Sequence, residues 1–330
     1  MKPFIGTEND APSDGAVLRP VKKTKRGVTV THGVCPRFGD ADAYDMAMCG
    51  VDEAYRAHIA IGGDPEVTSA LDNFCWPDPV ESPENPDGKY RMAQLVRACK
   101  GLKEACVAYG MPLISGKDSM KNESNIGGKK IPVRPTLLIS QMGIIEDVTK
   151  AVGSDFKQPG DIIYILGETR GELGGSFLEK ITAGSDVNFN LGRCPSVNTT
   201  EALELYRKLH KSMKAGLVKS CHDLSDGGLA AAAAESAIGG RLGAEIKLDT
   251  LPADSSDYES SRLLFAETPS RFIVTVSPEN KTDFEKALAG TKTAETGIVT
   301  GGKTLEIYND NEICLQCSID DITAAWKSFK

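Results

Sequence analysis

VKSCHDLSDGGLAAAAAESAI, residues 218–238, carries the alternation of elements on which the fold is read. Val218–Cys221 has the apolar, β-prone character of a strand, and the alanine-rich run from Leu229 to Ile238 that of a helix. Between them lies His222-Asp-Leu-Ser-Asp-Gly-Gly228, a polar, glycine-containing turn. One acidic residue suffices to cap a helix, and Asp226 stands where it can. Asp223 and Ser225 are then surplus, and a carboxylate beside a helix start is what a Mg2+ bridge to a phosphate requires.

Two other segments share the design of strand, then glycine-containing polar turn. Gly171-Glu-Leu-Gly-Gly-Ser176 follows a strand at Asp161–Leu166 and precedes a helix. It suits an anion at free backbone N–H groups, and equally a tight turn with a serine cap. Ser115-Gly-Lys-Asp-Ser119 follows a short apolar strand, Met111–Ile114. Gly116 permits close backbone approach, Lys117 supplies a point charge, and Asp118 and Ser119 offer metal or hydroxyl contacts; a charged hairpin turn would look the same. The spacing is not that of a Walker A loop. Asp14 and Glu53 could complete a metal site, although each alone is also an ordinary surface carboxylate.

Outward from these turns, helices and strands alternate. Strands are expected at Gly27–Gly33, Val67–Leu71, Thr136–Ile145, Arg271–Val276 and, closing the chain, Leu305–Tyr308. Helices are expected over 40–61, where apolar residues recur at three and four, over 90–109, where they share one side, and over 200–215 and 281–289. The first twenty residues, rich in Pro, Asp and Gly, read as extended or weakly ordered. This is an α/β (α+β) pattern in both halves. A breaker-rich stretch, Val152–Gly160, places a boundary between units 1–155 and 156–330, as a length of 330 residues also suggests.

A net charge of -8 argues against nucleic acid or an anionic membrane as partner, while leaving room for a small anionic ligand. No apolar run approaches the ~18 residues of a membrane span, and the N-terminal stretch has no apolar signal core. Nine cysteines without a framework read as reduced thiols, so a cytoplasmic location is expected. Cys314-Leu-Gln-Cys317 is a lone pair, better read as part of a late strand than as a zinc site.

Five ordered segments carry a resemblance that covers nearly the whole chain: SALDNFCWPDP (69–79), PLISGKDSMKNE (112–123), LGETRGELGGS (166–176), CHDLSDGGLAAAAAES (221–236) and LLFAETPSRFIVTV (263–276). Together they resemble the formylglycinamide ribonucleotide amidotransferases (phosphoribosylformylglycinamidine synthases), of the superfamily named for aminoimidazole ribonucleotide synthetase. The match is to the C-terminal of that family's two synthetase halves. It implies two mixed domains, the first contributing its sheet to a dimer-like barrel. It implies an ATP-dependent ligase of purine biosynthesis. In that reaction the amide oxygen of formylglycinamide ribonucleotide is phosphorylated and glutamine-derived ammonia displaces the phosphate. The implied cofactors are ATP and Mg2+, and the implied partners are an N-terminal synthetase half, a glutaminase domain or subunit, or a second copy of the chain.

Carried over by motif, the resemblance implies that Asp14, Glu53 and Asp223 hold metal and Ser225 a nucleotide, with Ala57 where the family has an Asn ligand. Gly116 and Lys117 would reach a nucleotide, and Asp118 and Ser119 a substrate, held mainly by the other half. The resemblance assigns no catalytic residue to this half. Two rivals share part of the pattern: thiamine-phosphate kinase, through D-x-S-D-G, and a non-catalytic subunit that binds nucleotide and scaffolds a partner.

Overall fold

The computed structural model describes residues 1–184 and 191–328. The first half runs β1 (Phe4–Ile5), β2 (Ala11–Pro12), β3 (Ala16–Leu18), β4 (Gly27–Gly33), α1 (Ala43–Ala60), β5 (Thr68–Cys75), α2 (Gly88–Tyr109), β6 (Leu113–Ser119), β7 (Glu123–Ile126), β8 (Lys129–Pro132) and β9 (Thr136–Ile145). Five of these strands form one sheet in the order β3-β4-β9-β5-β6, antiparallel except for the β5–β6 pair. β7 and β8 make a separate ribbon.

The second half runs β10 (Ile162–Leu166), α3 (Phe177–Thr182), α4 (Thr199–Lys214), β11 (Ser220–Asp223), α5 (Gly228–Gly240), β12 (Gly243–Lys247), α6 (Ser260–Phe265), β13 (Phe272–Val276), α7 (Lys281–Ala287), β14 (Thr293–Thr300), β15 (Thr304–Asn309), β16 (Glu312–Ser318) and α8 (Ile319–Lys327). Its seven-stranded sheet has the order β11-β13-β10-β14-β12-β15-β16, with β12–β15 its parallel pair. Both halves are mixed α/β, as the alternation of elements implies. No helix among the described residues is long and apolar enough to cross a membrane.

α1 positions the site. The Asp42 side chain caps it by accepting from Tyr44 N at 2.8 Å. Its periodic residues Met46, Val51, Ala54, Tyr55 and Ile59 are almost fully buried. α1 lies against β4, β9 and α2 on one side and α4 and β11 on the other. The approach to β4 is so close that a Cβ on Gly33 would stand 2.1 Å from Gly50 O. Tyr55 stacks on Tyr109 (centroids 4.6 Å) and on Tyr206 of α4 (5.7 Å), so one apolar core runs through both halves. The expected boundary lies in the irregular stretch between β9 and β10, while packing continues across it. An interface of this apolar kind holds two units as one body.

Three expectations are corrected. The strand expected to end at Ile114 continues as β6 through Ser119, so Ser115–Ser119 is strand and not turn. Parallel pairing with β5 satisfies one side of its backbone, and an exposed edge tolerates Gly, Lys, Asp and Ser that a central strand would not. Leu305–Tyr308 does not close the chain's structure, because β16 and α8 follow. The first twenty residues hold β1–β3, and Asp10 is paired with Arg241 and Lys327 far along the chain.

Candidate functional site

A cavity of about 210 Å³ opens where the loop before β3, helix α1, the end of β11 and helix α5 meet. Asp14, Glu53, Asp223 and Ser225, drawn from three distant parts of the sequence, all line it, together with His222 and Glu235. Asp223 ends β11, and the chain turns into α5 through Gly227 and Gly228, both at positive φ (78° and 62°). The side chain of Asp226 does not cap α5 as expected. Gly227 is the cap residue, and Asp226 Oδ1 accepts from Arg37 instead, at 3.4 Å.

Each carboxylate has a defined environment. Asp14 Oδ1 lies 2.6 Å from His222 Nδ1, and its Oδ2 is buried without a hydrogen-bond partner. Burial raises the Asp14 pKa to about 7 against the pull of His222. Glu53 Oε2 accepts from Val34 N at 2.7 Å and from the Cys35 thiol at 3.3 Å, and burial raises its pKa to about 7. The Asp223 pKa is lowered: burial opposes ionisation, but Arg56 and His222 outweigh it. His222 is held at both nitrogens, with Nε2 2.8 Å from Glu235 Oε2. Burial disfavours its charge, yet Asp14 and Glu235 push its pKa well above the ordinary histidine value.

Sequence reasoning missed Arg56. It is buried in α1, donates from Nε to Asp223 Oδ2 (3.0 Å) and from Nη2 to Ser225 Oγ (2.9 Å), and pairs with Asp52 one turn back. Asp52 also accepts from Tyr109, Tyr206 and Ser270. An arginine in a helix buried on nearly all sides was the available signal, since such a charge must find a partner. Glu267 was missed too, although it lies in one of the five motifs. Its Oε1 accepts from Phe177 N (2.7 Å) at the start of α3 and from Gly227 N (2.9 Å) before α5, and burial lifts its pKa to about 7. Ser176 caps α3, and Glu179 Oε2 takes Gly175 N–H. Of the backbone donors that would suit an anion at 171–176, Gly175 N–H is taken by Glu179, and Leu173, Gly174 and Ser176 N–H by backbone carbonyls, which favours the capped-turn reading of this segment.

Gly116, Lys117, Asp118 and Ser119 are not brought to this cavity. They lie on β6, one edge of the five-stranded sheet, whereas Asp14 immediately precedes β3 at the opposite edge. Four strand spacings separate the two edges, about 19 Å. On β6 the side chains face outward; Lys117 and Asp118 are exposed, and Lys117 Nζ donates to Ser119 Oγ at 2.5 Å. Gly116 sits against Asp72, whose Oδ1 would be 2.8 Å from an added Cβ.

The hard oxygen donors of Asp14 and Asp223 and the orphaned, buried Asp14 Oδ2 fit a Mg2+ ion, whereas Glu53 lines the same cavity without belonging to the group of donors that lie within 4.8 Å of one another. Ala57, also at the cavity wall, adds no donor. Cys314 and Cys317 lie on β16 and are free thiols. Cys314 stands at a register shift between β15 and β16 and its thiol donates to Ile307 O at 3.3 Å, as part of a strand.

The N-terminal domain of AIR synthase related proteins matches residues 12–145, and the C-terminal domain of the same proteins matches 158–309. Among solved structures, T. maritima PurL complexed with FGAR is 19% identical with a TM-score of 0.74, over 97% of this chain and 49% of that one. Phosphoribosylformylglycinamidine synthase II from Thermotoga maritima is 17% identical with a TM-score of 0.74, over 97% and 47%. AaThiL complexed with AMPPCP and TMP is 18% identical with a TM-score of 0.58, over 91% and 88%. The chain spans about half the length of the T. maritima protein in both structures. With both family domains matched in order along a fold of the same kind, the chain belongs to the AIR synthase related protein family.

Proposed function

We propose that this chain is the C-terminal synthetase half of an ATP-dependent ligase that converts formylglycinamide ribonucleotide and glutamine-derived ammonia to formylglycinamidine ribonucleotide in the cytoplasm. One observation carries the proposal: the two clusters of site residues lie at opposite edges of one sheet. The Asp14–Asp223 cavity is lined by this chain's own residues, whereas Gly116–Ser119 lie on an edge strand that has no partner on its outer side among the described residues. A second half pairing at that edge would complete a barrel and take Lys117 and Asp118 into its own nucleotide and substrate site. The similarity to T. maritima PurL complexed with FGAR, and to the same protein complexed with ATP, supports the substrate and cofactor assignment.

Within the cavity, Asp14, Glu53 and Asp223 would hold Mg2+, and Ser225 the nucleotide. When bound, the metal neutralises phosphate oxygens. Arg56, behind the cavity wall, fixes Asp223 and Ser225 in place. Ammonia comes from a separate glutaminase domain or subunit.

The test is ADP release with ATP, Mg2+, ammonium and formylglycinamide ribonucleotide, by the chain alone and after mixing with an N-terminal half. Substrate-dependent turnover is expected in the mixture and not with the chain alone. Turnover by the chain alone would point to a homodimer that rebuilds the site. A second interpretation, a nucleotide-binding scaffold without turnover, is favoured by Ala57 and by Arg56, which already occupies Asp223 and Ser225. It predicts nucleotide binding with no gain in ADP release on mixing.

A further inference from the structure

Among the described residues, one group of three potential metal ligands has its donor atoms within 4.8 Å of one another: Asp14, His222 and Asp223. It contains a nitrogen donor that the oxygen-only set does not. We propose that His222 Nδ1 is a ligand of the cation in this cavity, so that the site takes a first-row transition ion such as Mn2+ in preference to Mg2+.

Three observations support this. First, Nδ1 is the ring atom that faces the carboxylates, 2.6 Å from Asp14 Oδ1 and 3.9 Å from Asp223 Oδ1. Ligands in adjacent positions around a small divalent ion lie about 3 Å apart, so little movement is needed to close the three donors on a metal. Second, the far nitrogen, Nε2, is 2.8 Å from Glu235 Oε2. A carboxylate that takes the outer N–H of an imidazole orients the ring and leaves the inner lone pair for a metal. Third, Asp14 Oδ2 is buried with no hydrogen-bond partner, on a side chain only 2% exposed. An ion pair with His222 alone would leave that oxygen unsatisfied, at a cost that a cation removes. On binding, the metal takes the Nδ1 lone pair and any Nδ1 proton leaves to solvent. An imidazole donor shifts preference from Mg2+, which favours oxygen, toward Mn2+ and its neighbours.

The inference rests on the proposed cation role of this cavity, but not on the identity of the reaction. The probe is Mn2+ alone, below one equivalent, added to the wild-type chain without nucleotide. Pulsed electron paramagnetic resonance should show imidazole 14N modulation, which changes on selective 15N-histidine labelling. His32, the cavity's other imidazole, is the control: the modulation should persist in His32→Gln and vanish in His222→Gln. More than a tenfold excess of Mg2+ should be needed to displace half the Mn2+. Bound Mn2+ without nitrogen modulation, or modulation lost in His32→Gln, overturns the proposal and leaves an all-oxygen or differently ligated site. No Mn2+ binding also overturns it. Nucleotide binding and ADP release on mixing, measured on the same protein, report separately on the synthetase assignment.

Discussion

Arg56 Nε stands 3.0 Å from Asp223 Oδ2, tying α1 of the first half to the end of β11 in the second. Both side chains are buried, and the carboxylate of Asp52 completes the cluster around the guanidinium. Removing the arginine would strand Asp223 in particular, because Asp52 keeps its bonds from Tyr109, Tyr206 and Ser270. Arg56→Met is expected to destabilise the fold by about 3–5 kcal/mol. Urea unfolding measures this, and adding Asp223→Asn should restore part of the loss. A single-variant loss under about 1 kcal/mol would show that water replaces the guanidinium.

His58 is buried beneath β4 and should not gain a proton until well below neutrality. Burial drives its pKa down to about 4. Its Nε2 donates to Asp64 O at 2.9 Å and its Nδ1 accepts from the Thr29 hydroxyl at 2.7 Å, which requires the neutral Nε2–H tautomer. The unfolded chain binds this proton near pH 6.5 and the folded one only near 4, so acid favours unfolding. The contribution of His58 is whole above about pH 6.5 and falls away toward pH 4. Nitrogen NMR of the imidazoles should show the neutral tautomer unchanged from pH 7 to 5; titration near 6.5 would refute the assignment.

Gly143 in β9 faces the same ring. A Cβ there would stand 2.3 Å from His58 Cε1, closer than any relaxed contact. Gly143→Ala should cost about 1–3 kcal/mol by overpacking, read as a lower denaturant midpoint. An unchanged midpoint would mean that His58 can swing aside without losing Thr29 or Asp64.

Lys117 and Asp118 should behave in the opposite way. Their side chains are exposed on β6, so Lys117→Ala and Asp118→Asn should leave stability within about 0.5 kcal/mol of the parent. If the edge serves a partner's site, ADP release in the mixture should fall about 100-fold or more. Equal activity of parent and variants in the mixture would remove these residues from the site.

The local elements were legible because their causes are local. The strands at 27–33 and 136–145 form over those residues, and α1 lies within the stretch where apolar residues recur at three and four. The polar turn after β11 stood out because it holds more acidic and hydroxyl groups than capping needs, and Asp223 and Ser225 do line one cavity with Asp14 and Glu53. β6 was not legible to its end, because an edge strand is defined by its neighbour β5 and Gly-Lys-Asp-Ser has no strand signature of its own. The capping role assigned to Asp226 failed because the cap position of α5 falls one residue later, at Gly227, and Asp226 meets Arg37, 189 residues away in sequence, instead.

By itself the sequence determined the alternation of helices and strands, the chemistry offered by each turn and, through five ordered motifs, the family. The tertiary structure alone decided which of those groups meet. It joined Asp14 to His222 across 208 residues, placed Arg56 behind Asp223, and set Gly116–Ser119 at the far edge of the sheet. The physical reason is that hydrophobic periodicity and capping act within a few residues of the chain. The pairing of buried charges instead follows from burial, which is set by whatever the rest of the chain packs against them.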